Sequence, residues 1–323
     1  MRIFACPDCG GPLHFDNLSC ICGASVVYDP HRARFQRSSP HCANRDPIGC
    51  SWQAENDGPL CLSCAMTEVI PDTFHGENRE LWAEAEAAKR WVLANLARWG
   101  WFIGGDSGPK PVFHMLAEQG RGGTASVIMG HDDGLVTINV MEADPAQRAQ
   151  RRQALGEKLR TMIGHFRHEL GHFFFFKRFA PQQGFTDSFR ALFGDERGDY
   201  DKALETHYSK GPPAGWDERH VTEYASSHPH EDWAESFAHV LHLTDIIDSF
   251  AAAGLSSPSL SGAGYDAYRE TDPERLIFTG VELGIALNHV NRSMGLGDIY
   301  PFVVTPPIRE KLGFVHTWLQ KPI

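Results

Sequence analysis

The chain has 323 residues, of which 42% are hydrophobic, and its formal net charge is −11. This length and apolar content are sufficient for one large globular domain or two ordinary ones. The excess of acidic residues argues against a broad basic surface, and therefore against nucleic acid or anionic lipid as a partner.

The sequence also lacks signals for membrane insertion and secretion. It contains no run of about 18 apolar residues, which is the length that a membrane span needs. Residues 1–6 lack the apolar core of a secretory signal. We therefore expect a cytoplasmic protein, a setting in which clustered cysteines bind metal more often than they form disulfides.

All eight cysteines lie between positions 6 and 64. They form two quartets: Cys6, Cys9, Cys20 and Cys22, then Cys42, Cys50, Cys61 and Cys64. Two close pairs on either side of a short hairpin are typical of a zinc ribbon, in which four thiolates bind Zn²⁺ and the metal contributes folding free energy. We predict two structural zinc ions. The alternative is a set of buried or redox-active thiols, and the Cys20-x-Cys22 spacing is shorter than the usual Cys-x-x-Cys.

The cysteine-rich segment is acidic. Residues 1–70 contain five Arg, no Lys and seven acidic residues, before any thiolate is counted. This charge argues against nucleic-acid binding and favours a scaffold or protein-docking role. We predict a double zinc-ribbon domain over residues 1–70 and a second domain over residues 71–323.

The next segments predict a helix and a hairpin. Apolar residues recur at helical spacing over residues 77–96, and the pattern ends near Gly100. Residues 124–129 and 135–140 are of β type and are separated by residues 130–133, which predicts a hairpin with a four-residue loop.

A long helix is predicted to begin at Asp144, with Pro145 at its first position. An apolar stripe from Leu155 to Phe173 predicts that this helix continues through residues 168–172, which read His-Glu-Leu-Gly-His. The two histidines of this His-Glu-x-x-His motif then lie one turn apart on one face.

The rest of the chain predicts further helices. Residues 181–228 are rich in Gly, Pro and charge, with short helices at 187–193 and 199–208, and we expect this stretch to cover a cleft. Longer helices are predicted from His228-Pro229 onward, over 276–290 and over 308–319.

The motif indicates a zinc hydrolase centre. Two imidazoles one turn apart can bind Zn²⁺ while the intervening Glu169 acts as general base toward a water molecule. The alternative is a pair of solvated helix histidines, because the motif alone is short. The extended metzincin form is absent, since Phe175 and Arg178 stand where it needs Gly and His.

A third ligand is available downstream. Glu231 and Glu235 lie four residues apart on one predicted helical face, so one could bind the metal while the other orients a ligand histidine. The other reading of Glu231 is a charge in the first turn of a helix, which the helix dipole favours. Four further histidines are reserve candidates: His228, His230, His239 and His242.

The pattern Glu-x-x-Ala-Glu-x-Phe at residues 231–237 resembles the ligand helix of anthrax lethal factor, a gluzincin-like protease. That resemblance implies that Glu231 binds the zinc and that Tyr224 lies beside the metal, which leaves Glu235 to orient a ligand histidine. It also implies an edge strand that pairs with substrate, for which residues 135–140 are the candidate, or else a plain sheet strand.

The whole chain is similar to a bacterial family of zinc-binding metallopeptidases with an N-terminal double zinc ribbon. The similarity rests on the two cysteine quartets and on three segments: GHFRHELGH at 164–172, FGDER at 193–197 and HPHEDWAE at 228–235. It implies an α+β fold, with the double ribbon followed by a mainly helical, zincin-like domain that carries a small β-sheet.

The combined expectation is a zinc peptidase with one catalytic and two structural ions. His168, His172 and Glu231 hold the catalytic zinc, Glu169 moves the proton, and the Tyr224 hydroxyl helps to stabilise the oxyanion. The expected partner is a peptide or protein substrate, with a protein partner also able to dock on the ribbons. The rival function is a non-catalytic zinc-ribbon binding module with a structural or inactive metal centre.

Overall fold

The structure is a computed structural model that describes residues 1–37, 40–55, 58–260 and 265–320. The chain divides into two compact units, the first being Met1–Phe166 and the second beginning at Arg167. The predicted division near residue 70 is a different boundary and stays a prediction.

The first unit contains short strands and four complete helices. Its strands are β1 (Phe4–Ala5), β2 (Pro12–Leu13), β3 (Val26–Asp29), β4 (Arg34–Arg37), β5 (Thr67–Val69), β6 (Val112–Leu116), β7 (Gln119–Gly120), β8 (Gly123–Thr124), β9 (Gly130–Asp132) and β10 (Leu135–Asn139). Its helices are α1 (Arg45–Ile48), α2 (Leu62–Ala65), α3 (Asn78–Ala97) and α4 (Pro145–Leu155). The predicted helix over 77–96 is therefore confirmed as α3.

The largest sheet has the strand order β5-β6-β10-β9. Its two inner strands, β6 and β10, run parallel, and alternate residues such as Phe113, Met115, Val136 and Ile138 are fully buried. Since β10 is hydrogen-bonded on both sides, the interpretation of residues 135–140 as an edge strand is wrong. The edge position on that side belongs to β9.

A hairpin ends at β10 as predicted, but its first strand is β9, which lies in the residues predicted as the loop. β9 pairs with β10 from Gly130 onward, so Asp133 and Gly134 alone form the turn, and both have positive φ. An Asp-Gly pair suits a two-residue turn of this kind because Gly takes positive φ without steric cost and Asp tolerates it. Residues 125–129, predicted as strand, form none.

The long helix predicted from Asp144 to Phe173 is two helices. The Asp144 carboxylate caps α4 as expected, but Gly156 ends that helix in the left-handed conformation with φ 68°. A second helix, α5, then covers Met162–Phe173 and carries the histidine motif. Leu155, counted in the apolar stripe, is 53% exposed.

The segment before α5 is fixed by a buried carboxylate. Glu142 accepts hydrogen bonds from Arg151 and Arg160, and its Oε2 lies 3.3 Å from His165 Nε2. Burial alone would raise the pKa of Glu142, but these hydrogen bonds outweigh it and hold the pKa well below its usual range. The start of α5 is thereby tied to the preceding chain.

The second unit is helical. It contains the end of α5, a π-helical turn at Phe174–Phe179, and the helices α6 (Phe185–Phe193), α7 (Tyr200–Lys210), α8 (Pro229–Ala252), α9 (Pro273–Ser293) and α10 (Pro306–Leu319). α8, α9 and α10 pack on one another. Each begins with proline after a capping side chain, from His228, Asp272 and Thr305 respectively.

An aromatic cluster around Trp233 of α8 holds this unit together. The Trp233 side chain is fully buried, and the phenylalanine rings that lie 5.4–6.2 Å from it include five from residues 175–193: Phe175, Phe179, Phe185, Phe189 and Phe193. These five rings come from the π-helical turn and α6. In the run of phenylalanines after the histidine motif, Phe173, Phe174 and Phe175 are buried, whereas Phe176 is 43% exposed.

The prediction of an α+β chain with an N-terminal cysteine-rich part and a mainly helical C-terminal part is confirmed. Among the helices of the described ranges, none combines the length and the apolar character that crossing a bilayer requires.

Candidate metal centres

The two motif histidines face each other on α5. His168 Nε2 and His172 Nε2 are 3.2 Å apart, and the ring centroids are 4.9 Å apart. A separation of four residues places both side chains on one face of the helix. Their Nε2 atoms therefore point at a common volume.

Glu231, in the first turn of α8, completes this group. Its Oε2 is 3.0 Å from His168 Nε2 and its Oε1 is 3.4 Å from His172 Nε2. Ligand atoms of these three residues all lie within 4.8 Å of one another, so the group could hold a metal ion. Burial raises the pKa of Glu231, but the two imidazoles outweigh it and hold the pKa well below the usual range.

Glu235 contacts the opposite nitrogen of the His168 ring. Its Oε1 is 2.7 Å from His168 Nδ1, and its Oε2 accepts a hydrogen bond of 2.8 Å from the Thr222 hydroxyl. Because one imidazole offers one nitrogen to a metal, a carboxylate on Nδ1 orients the ring so that Nε2 faces the ligand group.

Glu169 is buried beside the histidines. Its Oε2 is inaccessible to solvent and has no hydrogen-bond partner among the described residues. Burial raises the pKa of Glu169, and the neighbouring His168 and His172 oppose that rise. This oxygen is therefore available to accept a hydrogen bond from a bound group.

Two tyrosines border the group. The Tyr224 ring centroid lies 5.9 Å from that of His168, and burial raises the pKa of its hydroxyl. The Tyr200 hydroxyl donates a hydrogen bond of 2.6 Å to Glu231 Oε1. Tyr200 was not among the candidates, because it lies 31 residues before Glu231 and no sequence pattern predicts a contact between them.

The close approach of α5 to α8 positions these side chains. A Cβ atom on Gly171 would lie 2.9 Å from Ala234 Cα, so only glycine fits between the helices there. The Trp233 indole donates a hydrogen bond of 2.8 Å to the Gly171 carbonyl. The glycine within the histidine motif thus serves the contact between α5 and the helix that carries Glu231.

The four reserve histidines lie outside the ligand group. His228 caps α8 by accepting from the His230 amide, and the His230 ring packs on Phe175. His239 pairs with the Tyr300 hydroxyl at 2.8 Å, and His242 Nδ1 lies 2.6 Å from an Arg167 Nη1. Each has a structural partner.

The first cysteine quartet is assembled in the structure. The Sγ atoms of Cys9 and Cys20 are 3.6 Å apart, and those of Cys6 and Cys22 are 3.8 Å apart. Backbone hydrogen bonds lower the pKa of the Cys6 thiol to about 7. The short Cys20-x-Cys22 spacing does not prevent all four thiols from meeting.

The second quartet is assembled too, and all four of its cysteines are buried. Cys50 Sγ lies 3.6 Å from Cys61 Sγ and 3.8 Å from Cys64 Sγ. A buried arginine, Arg90 of α3, is next to this quartet. Its pKa is lowered by burial but raised overall by the charges of Cys50, Glu86 and Cys64. A buried cation of this kind fits a cluster of thiolates.

Comparison with known proteins gives a family match and full-length relatives. The model of a family described as "Putative zinc-binding metallo-peptidase" matches residues 78–318. Uncharacterized proteins of Mycobacterium bovis and Mycobacterium tuberculosis are 37% identical to this chain over 328 residues, which cover 98% of this chain and 95% of each relative. No solved structure matches the chain.

Proposed function

This chain belongs to the family of putative zinc-binding metallo-peptidases, and from that premise we propose that it hydrolyses peptide or isopeptide-like amide bonds at a centre built from His168, His172 and Glu231. The family resemblance inferred from the motifs is confirmed by the match. The catalytic centre, its zinc and its substrate are the proposal.

One observation carries it: ligand atoms of His168 and His172 of α5 and of Glu231 of α8 converge within 4.8 Å of one another, and Glu231 is fully buried. Two imidazole nitrogens and a carboxylate oxygen are a common catalytic donor set for zinc. When bound, zinc would supply Lewis acidity that polarises a water molecule and a carbonyl group.

The chain's own residues would handle the proton and the developing charge. Glu169 is the general base: its carboxylate takes the proton of the attacking water and delivers it to the leaving amine. Tyr224, whose ring lies beside that of His168, donates a hydrogen bond from its hydroxyl to the oxyanion. Glu235 and Thr222 hold the His168 ring with Nε2 toward the ligand group.

The two cysteine quartets would each hold a structural zinc ion. Both present four thiols within reach of one ion, and Arg90 balances part of the negative charge of the second quartet. With the catalytic ion, the protein would carry about three zinc ions per chain. The substrate would be a peptide or protein, and the quartets would form a separate ribbon domain that docks a protein partner.

Two variants test this function. His168→Ala should lose one zinc ion by elemental analysis while the cysteine-bound ions remain. Glu169→Gln should keep all the zinc but lose hydrolysis of a peptide library, relative to wild type and a chelator-treated control. An unchanged zinc count in His168→Ala would contradict the proposed catalytic centre. Unchanged cleavage by Glu169→Gln removes the general-base role, and zinc without cleavage in wild type favours the non-catalytic binding module.

A further inference from the structure

Tyr200 makes a direct hydrogen bond to a residue of the proposed metal centre. It is the first residue of α7, and its hydroxyl donates to Glu231 Oε1 at 2.6 Å. Its ring packs against His228, which caps the helix that carries Glu231, with the centroids 5.1 Å apart. Tyr200 therefore contacts both the carboxylate and the start of its helix.

The rest of α7 is exposed or partly exposed. Within the described chain none of the residues of this 11-residue helix is buried. An open cleft of about 550 Å³ lies beside α7 and the beginning of α8, and its lining includes Lys202, Thr206 and His207 of α7 together with Ser227 and His228. Gly211, with φ 75°, ends the helix. Besides Tyr200, the His207 ring of α7 contacts the Tyr224 ring, with the centroids 6.0 Å apart.

We propose that Tyr200 is a positioning residue that fixes the Glu231 carboxylate for metal binding and couples the placement of α7 to occupancy of the centre. A carboxylate with one oxygen held by a donor loses little further rotational freedom when the other oxygen binds an ion. Hydrogen bonds that orient metal ligands typically contribute about ten- to hundredfold to metal affinity.

The coupling must act in both directions. If attachment of Tyr200 to Glu231 strengthens metal binding, metal binding strengthens the attachment of α7 by the same factor, because the two equilibria share one thermodynamic cycle. This inference rests on the proposed function, since it takes His168, His172 and Glu231 as ligands. It adds a residue and an element that the histidine motif does not include.

The first test removes only the hydroxyl group. Tyr200→Phe should raise the Kd of the His168-dependent zinc about ten- to hundredfold in a competition titration. It should also alter the visible absorption spectrum of the Co²⁺-substituted centre. Tyr208→Phe is the matched control, because Tyr208 is on the same helix and is 66% exposed.

The outcomes separate this inference from the proposed function. If wild type binds no His168-dependent metal, the proposed function fails and the inference fails with it. If wild type binds the metal but Tyr200→Phe matches it in both affinity and Co²⁺ spectrum, only the role of Tyr200 is overturned. An equal loss in Tyr208→Phe would overturn it too, because the effect would then belong to α7 in general.

A second measurement needs no variant and covers the case in which Tyr200→Phe does not fold. Hydrogen exchange of the α7 amides is compared in wild type before and after a chelator concentration that removes the His168-dependent zinc alone. We expect exchange in α7 to accelerate about tenfold or more when the ion leaves. Equal exchange rates with and without the ion would contradict the coupling.

Discussion

The two carboxylates of α8 contact different nitrogens of the same imidazole. Glu231 faces Nε2 of His168, the nitrogen that also faces His172, whereas Glu235 pairs with Nδ1 and with Thr222. A spacing of four residues places both on one face of α8 but does not say which of them reaches the inner nitrogen. The side-chain geometry favours Glu231 as the ligand and Glu235 as the residue that orients the ring.

Replacing each carboxylate by its amide should produce unequal effects. Glu231→Gln should abolish measurable zinc binding at the His168 site, because a neutral amide is a poor zinc ligand. Glu235→Gln should weaken the same site by about ten- to hundredfold, since it changes only the orientation of His168. Competition titrations on both proteins measure the difference, and the reverse order would identify Glu235 as the ligand.

At the scale of single residues, the sequence predicted those site residues that lie close together along the chain. His168, Glu169 and His172 could be placed because their spacing matches one turn of a helix. Tyr200 and Thr222 could not be placed, because each contacts a residue that is distant in the sequence. A single tyrosine or threonine in a polar segment forms no recognisable pattern.

Among the elements, the contact between α5 and α8 decides whether the centre can form. The helices approach so closely at Gly171 that a Cβ there would meet the backbone of Ala234 at 2.9 Å and the Phe237 side chain at 3.2 Å. The backbone of a buried helix cannot move aside cheaply in a close-packed core. Gly171 therefore sets the distance between the imidazoles and the carboxylates.

Gly171→Ala should separate the helices and weaken both folding and metal binding. We expect a loss of about 1–3 kcal/mol in the free energy of unfolding, as for other overpacked cores, together with a higher Kd for the His168-dependent zinc. Denaturant unfolding followed by circular dichroism, with a parallel zinc titration, measures both quantities.

Gly313→Ala provides the matched control. Gly313 is also helical, in α10, but a Cβ there would meet only Pro273 at an ordinary contact distance of 3.6 Å. This variant should be neutral or stabilised by up to about 1 kcal/mol, because alanine favours the helix. If Gly171→Ala behaved like Gly313→Ala, the helix contact would not control the centre.

Most helices were predictable because their start signals are local. Asp144-Pro145, His228-Pro229 and the apolar period of α3 all correspond to elements in the structure. The errors occurred where a single glycine outweighed the pattern: Gly156 ends α4, and Gly134 permits a two-residue turn. Apolar periodicity does not report such a break, because one left-handed residue interrupts a helix without changing the stripe.

Over the whole molecule, the three candidate metal centres differ in exposure. In the first quartet Cys9 and Cys22 are exposed, whereas all four cysteines of the second quartet are buried. None of the eight forms a disulfide in the structure. An ion held partly by exposed ligands exchanges more readily, because both chelators and thiol reagents can reach those ligands directly.

Treatment with a chelator and an alkylating reagent should therefore modify the cysteines in a defined order. Cys9 and Cys22 should react first, with release of one zinc ion, and the second quartet should react last, after partial unfolding. Peptide mass spectrometry over time, with released zinc followed by a chromogenic chelator, measures the order. Simultaneous modification of both quartets would contradict the difference in burial.

The sequence by itself determined the kinds of ligand and their local grouping: two cysteine quartets, a pair of histidines one turn apart, and two glutamates on a later helix. These follow from composition and helical spacing, which are properties of short stretches of chain. The tertiary structure alone decided that Glu231 lies on the inner nitrogen of His168, that Gly171 sets the helix distance, and that Tyr200 reaches the site. Those facts depend on how distant segments pack, and contacts between distant segments produce no periodic pattern in the sequence.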